Sequence, residues 1–257
     1  MAGRIRIFTA AVVLLLASTG AARAADEEIQ VYVDDLDKPG KFGLDTHVNY
    51  VFANGAGPDY PGQQPSVDRL RITPEWSYGL TKNVELGLYL PLMDYRNNQF
   101  TVDGYKFRIK YIAPHPESQT WYWGGNFEIG QVDKRLDINP WNAELKGIVG
   151  WHGKKWDVGF NTNIDWVVDG PAKTPASVQL ATKIAYKIND KLAVGVESYD
   201  GVGDFDRFRF DGSAHQIYGA VDTSIGKWDL NLGVGYGYSG EPDHWTMKMI
   251  ISVPIDD

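Results

Sequence analysis

The chain has no cysteine among its 257 residues. That excludes disulfide staples, and it excludes a lipid-modified cysteine at an N-terminus exposed by export. Beyond an apolar stretch from Ile7 to Ala17, nothing approaches the roughly 20 consecutive apolar residues a spanning helix needs. Any membrane crossing therefore falls to strands. The five histidines, His47, His115, His152, His215 and His244, stand in separate segments without HxH or HExxH spacing, so no metal centre is expected. Neither a glycine-rich phosphate loop nor a G-x-S-x-G elbow is present, and no cofactor is implied. Pro/Ser-rich linkers and low-complexity runs are missing too, which makes one large domain the simpler reading.

What is present begins with Arg4 and Arg6, the apolar run, and then Ala22-Arg23-Ala24. This is the order of a secretory signal peptide, expected over residues 1–24 with cleavage after Ala24. Its removal takes three basic residues and no acid, leaving 22 bases against 33 acids and a net charge of −11. Such a balance argues against a nucleic-acid partner. Residues 25–40, "ADEEIQVYVDDLDKPG", carry a predicted short strand at Ile29 to Val33 and a Pro39-Gly40 turn, and are expected to form a periplasmic N-terminal extension.

From Lys41 to the end, residues 41–257, hydrophobicity alternates with period two. Phe42, Leu44, Val48, Tyr50 and Phe52 share one face, with Gly43, Asp45, His47 and Asn49 on the other. The pattern predicts twelve strands near 41–53, 67–80, 84–93, 102–113, 120–132, 140–152, 155–167, 176–188, 191–200, 213–225, 227–238 and 244–254. Connections alternate between long loops and mostly tight turns, as in outer-membrane barrels whose short turns and termini face the periplasm. A soluble barrel or sandwich would alternate too, so the tryptophan spacing and the signal peptide have to discriminate. In "WNAELKGIVGWHGKKWDVGFNTNIDW", Trp141 and Trp151 share one face of one strand, and Trp156 and Trp166 one face of the next. Ten residues at roughly 3.3 Å, tilted about 40°, rise about 25 Å, the height of the apolar band on such barrels. Trp228 and Tyr238 repeat the device around Leu230, Leu232, Val234 and Tyr236. These six aromatics are expected at the membrane interfaces. The face opposite the last group, with Asp229, Asn231, Gly233, Gly235 and Gly237, suits a water-filled or tightly crossed lumen.

The stretches "EIQVYVDDLDKPGKFGLDTHVNYVF", "EWSYGLTKNVELGLYLPL" and "KFRIKYIAP" resemble a family of Gram-negative outer-membrane proteins named for the meta-pathway of phenol degradation, from about Glu28 onward. The resemblance implies an outer-membrane β-barrel and passage of small, aromatic or hydrophobic compounds, and it carries no catalytic signature. Barrels of this kind are inserted by an assembly machinery that reads a terminal aromatic. Here the chain closes on "MIISVPIDD", so either the signal lies inside, around Trp245 to Val253, or assembly is less conventional.

With apolar positions facing lipid, the opposite parity lines the lumen: Arg69, Arg71 and Glu75, then Lys106, Arg108 and Lys110, then Glu128, Glu144, Lys146, Asp157 and Asp165. A basic wall thus abuts an acidic one. Two readings stand, a transverse field that sets solute selectivity and cross-strand ion pairs that hold a narrow barrel closed. In the loop "DGVGDFDRFRFDG", Phe205, Arg207, Phe208, Arg209 and Phe210 are extracellular candidates for contact with an apolar solute. One enzymatic alternative, a surface lipid hydrolase of phospholipase A type, uses Ser213 and His215, at i and i+2 on one face. The expectation is therefore a non-enzymatic, all-β, antiparallel transmembrane barrel of about twelve strands in a Gram-negative outer membrane. It would pass small molecules, with lipid and the assembly machinery as partners; the alternatives are the hydrolase and a closed structural or binding barrel.

Overall fold

The computed structural model describes residues 28–54, 58–66, 68–95, 99–116, 118–241 and 243–256, so the expected signal peptide lies outside the described residues. The strands are β1 (Phe42–Asn54), β2 (Arg69–Gly79), β3 (Val84–Tyr89), β4 (Leu92–Tyr95), β5 (Gln99–Val102), β6 (Gly104–Ile112), β7 (Trp121–Val132), β8 (Trp141–His152), β9 (Trp156–Asp169), β10 (Ser177–Asn189), β11 (Leu192–Asp204), β12 (Arg207–Phe208), β13 (Ala214–Ile225), β14 (Trp228–Ser239) and β15 (Asp243–Pro254). They build twelve staves, because β3 continues into β4 across Leu90-Pro91, β5 continues into β6 across Asp103, and β12 only extends the β11 hairpin. Pro91 cannot donate to a ladder. The ladder resumes around it, with Leu90 N–H donating to Pro74 O at 3.0 Å and Asp103 N–H to Pro91 O at 2.8 Å.

Every stave is antiparallel to its neighbours, and β1 pairs with both β2 and β15, which closes the sheet and leaves it without an edge. The expected strands match these staves to within a few residues; the largest difference is β11, which runs four residues further, to Asp204. Connections 80–83, 113–120, 153–155, 190–191 and 226–227 gather at one end, the turn end, and the longer loops at the other. Among the described residues no helix is long and apolar enough to cross a membrane.

The barrel is hydrophobic outside and polar within. Phe107, Ile109, Leu145, Val149, Val196, Leu232 and Val234 are exposed, while Glu75, Arg108, Asn126, Lys146, Asn161 and Lys248 are buried. Trp121, Trp151, Trp156 and Trp228 ring the turn end. Trp141 packs edge-on to Tyr105 at 6.1 Å, and Trp166 tilts against Phe127 at 6.2 Å; with Tyr238 and Trp245 they ring the loop end. On their own strands Trp151, Trp156 and Trp228 thus stand at the turn end and Trp141, Trp166 and Tyr238 at the loop end. On β14 the alternate glycines form a packed recess. A Cβ on Gly235 would lie 2.4 Å from the Tyr218 ring, and one on Gly233 3.1 Å from the Lys248 side chain.

An exposed mid-strand position such as Val234, 47% accessible, should reject charge if hydrocarbon covers it. Val234→Arg is expected to cost about 2–4 kcal/mol in reversible urea unfolding from lipid vesicles. An unchanged stability would place this face in water.

Candidate functional site

The lumen does not stand open. The segment expected as a periplasmic extension enters it from the turn end and occupies it from Lys38 back to Glu28. It forms no strand there, against the short strand expected at Ile29 to Val33, but the Pro39-Gly40 turn is present, with Gly40 at φ +78°. The physical reason lies in its composition. Ile29, Val31, Tyr32, Val33 and Leu36 are interleaved with Glu28, Asp34, Asp35 and Asp37, so the segment has apolar groups to bury and acids that match lumen cations.

Each residue has a specific seat. Asp37 N–H donates to Glu85 Oε2 at 2.5 Å, and its carboxylate accepts from Ser77 Oγ. Gly79 leaves room for the backbone beside it, since a Cβ there would meet Lys38 O at 2.3 Å. Lys110 Nζ donates to both Asp35 Oδ1, at 2.6 Å, and Asp35 O, at 2.7 Å. Asp34 holds His152 Nε2 at 2.8 Å. Tyr32 is the anchor. Its N–H donates to Asn161 Oδ1 at 2.6 Å, while Asn161 Nδ2 donates back to Tyr32 O at 2.9 Å, a side chain acting as one rung of a β-ladder. Its hydroxyl donates to Glu28 Oε1 at 2.5 Å and lies 2.6 Å from the Tyr89 hydroxyl. Three cations, Lys146, Lys110 and Arg108, stand 3.8, 5.1 and 5.7 Å from its ring centre, within cation–π range. Ile112, Tyr122 and Ile148 complete the socket. Higher up, Ile29 and Val31 pack with Ala181, Tyr199 and Tyr218, and Lys248 Nζ donates to Ile29 O at 3.0 Å.

The wall around the segment is a mesh of local pairs. Of the expected lumen residues, Arg69, Arg71, Glu75, Arg108, Lys110, Glu128 and Lys146 are buried on the inner face, and Lys106, Glu144, Asp157 and Asp165 are half-buried. Arg108 sits opposite Glu128 in register, yet its guanidinium turns to Glu75 at 2.5 Å and Glu85 at 2.7 Å. Glu128, Glu144 and Asp165 follow one another across β7, β8 and β9. Lys146 answers Glu144 at 3.1 Å, and Asn126 Nδ2 donates to Glu128 at 2.7 Å. Asp157 binds Lys187 and His152, both at 2.8 Å. In a second group, Lys183, Lys248, Glu197 and Asp222 were not anticipated, whereas Asn231 was expected on the inner face: Lys183 binds Asp222 at 2.7 Å, Lys248 binds Glu197, and Asn231 Nδ2 donates to Asp222 at 2.8 Å. Such desolvated pairs cost little only when each charge has several partners, and the mesh supplies them for Arg108, Asp157 and Glu197.

Glu28, His47 and Glu75 bring three ligand-type atoms within 4.8 Å of one another, but Arg108 already supplies positive charge to Glu75. Toward the loop end a narrow cavity lined by Ile29, Asn49, Arg69, Arg71, Gln216 and Thr246 offers about 10 Å³, the room one water needs. Above it the first long loop spans the mouth, with Tyr60 OH donating to Lys134 O at 2.8 Å and Gln64 N–H to Arg135 O at 2.8 Å.

The aromatic loop mostly extends its hairpin. Phe205, Arg207, Phe208, Arg209 and Phe210 are exposed, Phe205 and Phe208 meet edge-on at 5.9 Å, and Phe210 covers His215 at 4.4 Å. That cover buries His215, whose ring nitrogens bind Asp200 and Phe210 O at 2.8 and 2.9 Å. Ser213 Oγ donates instead to Arg209 O. Serine and histidine therefore do not form the pair a hydrolase requires.

Parity found the charged wall residues on β2 and β6 to β9; those on β10, β11, β13 and β15 and the inserted segment were missed, although the segment's mixture of acids and bulky apolar side chains is the available signal. Asn161→Ala removes both hydrogen bonds to the Tyr32 backbone. Hydrogen exchange at the Tyr32 amide should accelerate about tenfold or more, with barrel amides in β7 and β8 unchanged. Equal protection in both proteins would show that Asn161 does not hold the segment.

No family model matches the chain, and no curated protein sequence matches it. Among solved structures, an outer-membrane channel from Pseudomonas putida F1 is similar with a TM-score of 0.57 at 14% identity, over 89% of this chain and 100% of that one. The KdgM porin gives 0.55 at 10% identity over 83% and 99%, and the NanC porin 0.54 at 12% over 83% and 100%. These likenesses do not single out the phenol-pathway family that the motifs resemble. At such identities they establish architecture: this chain has the closed, twelve-stave fold of outer-membrane channels and porins.

Proposed function

We propose that the protein is an outer-membrane channel for passive passage of small solutes, exported by residues 1–24 and inserted by the barrel assembly machinery with its turn end toward the periplasm. The observation that carries this reading is the inversion of polarity in a closed barrel: an apolar outside between two aromatic belts, and an inside lined with charge. The resemblance of its motifs supports aromatic or hydrophobic compounds as the solutes. The lumen's tyrosines, Tyr89, Tyr122, Tyr199 and Tyr218, offer ring faces along the way.

A second reading, a closed structural or binding barrel, draws on the inserted segment and the spanned mouth. Current measurements separate the two. Purified protein that migrates as a folded, heat-modifiable barrel is expected to give discrete current steps in planar bilayers. A silent bilayer, with the same sample folded by circular dichroism, would favour the closed barrel.

A further inference from the structure

We propose that residues 28–38 are a displaceable stopper, hinged at the Pro39-Gly40 turn, whose withdrawal toward the turn end opens the lumen; this rests on the channel reading above. The segment is the part of the lumen's filling that can leave without breaking the sheet, since it contributes no strand and no ladder to the barrel. It is tethered to β1 through one turn, at which Gly40 adopts the left-handed conformation natural to glycine. Its polar contacts with the wall involve wall side chains rather than ladder hydrogen bonds: Asp34 to His152, the Asp35 carboxylate to Lys110 and the Tyr32 side chain to Tyr89 and three cations, with Asn161, Glu85 and Lys248 meeting the segment's backbone.

The wall is built to stand when the segment is gone. Arg108 keeps Glu75 and Glu85, Lys146 keeps Glu144, Lys183 keeps Asp222, Lys248 keeps Glu197, and His152 keeps Asp157. Lys110 loses most, because both of its hydrogen bonds go to Asp35, and His115 loses its contact with Asp34. A permanent core element would show the opposite pattern, with wall charges orphaned on its removal. The fit between segment and wall is close at Gly159, where a Cβ would lie 3.2 Å from Val31 Cγ1 and thus within disulfide reach of a cysteine at 31. As the chain has no cysteine of its own, V31C/G159C introduces a single defined lock.

The test uses the full-length chain. Oxidised V31C/G159C is expected to lose at least tenfold in open time in planar bilayers, with dithiothreitol restoring it, whereas wild type ignores the reductant. The loosened variant N161A/K110M should open more often than wild type. Equal conductance in the oxidised and reduced states overturns the stopper and leaves the channel standing. Silence in both states and in N161A/K110M, with all samples folded, overturns both. Should the double cysteine fail to fold, Val31→Cys alone decides by labelling with a membrane-impermeant maleimide. Slow modification that accelerates at least fivefold when Asn161→Ala is added supports withdrawal, and modification as fast as in the urea-unfolded chain, or no acceleration, overturns it.

Discussion

A sheet that turns its greasy face outward, and whose interior is filled by its own chain, must find partners for the charges on its inner face. That requirement organises the rest of this structure. In a soluble protein a surface charge is satisfied by water and its neighbours hardly matter. Inside this barrel Glu75 has Arg108 and His47, Glu197 has Lys248, Tyr199 and Asn231, and Asp157 has Lys187 and His152. The pairing is local and crosses from stave to stave, so it reinforces the backbone ladders at the level where the apolar band surrounds them.

The same requirement explains the inserted segment. Tyr32 places a ring among three cations and a hydroxyl among acids, uniting both halves of the lumen's chemistry in one side chain. The glycines at 79 and 159 are recesses in the wall that accept the segment's backbone and Val31. A fold shared with porins thus has an interior shaped around a piece of its own chain, and permeation becomes a question of whether that piece moves.

Much of the barrel was legible because its signals are periodic. Alternation located twelve staves, and the separations of Trp141 from Trp151, Trp156 from Trp166, and Trp228 from Tyr238 set each pair at opposite ends of one strand. Parity assigned Arg69, Arg71, Glu75, Arg108, Lys110, Glu128 and Lys146 to the interior. It could not say which charge would take which partner. Arg108 faces Glu128 in register yet bonds Glu75 and Glu85, because the lumen's curvature brings other staves within reach of a long side chain. His215 also escaped parity: it points to the outer side but is buried under Phe210, a loop contact that no strand pattern encodes.

The sequence by itself determined the stave pattern and the outward and inward faces, since these follow from a two-residue repeat. Only the tertiary structure decided that residues 28–38 lie within the barrel, and that Tyr32 and Asp35 meet Lys146 and Lys110. Those contacts join residues some 75 to 220 positions apart in sequence once the cylinder closes, as with Asp35 and Lys110 or Ile29 and Lys248. Closure creates an interior whose cations and apolar side chains offset the cost of burying an acidic, half-apolar segment, and no local pattern of residues carries that information.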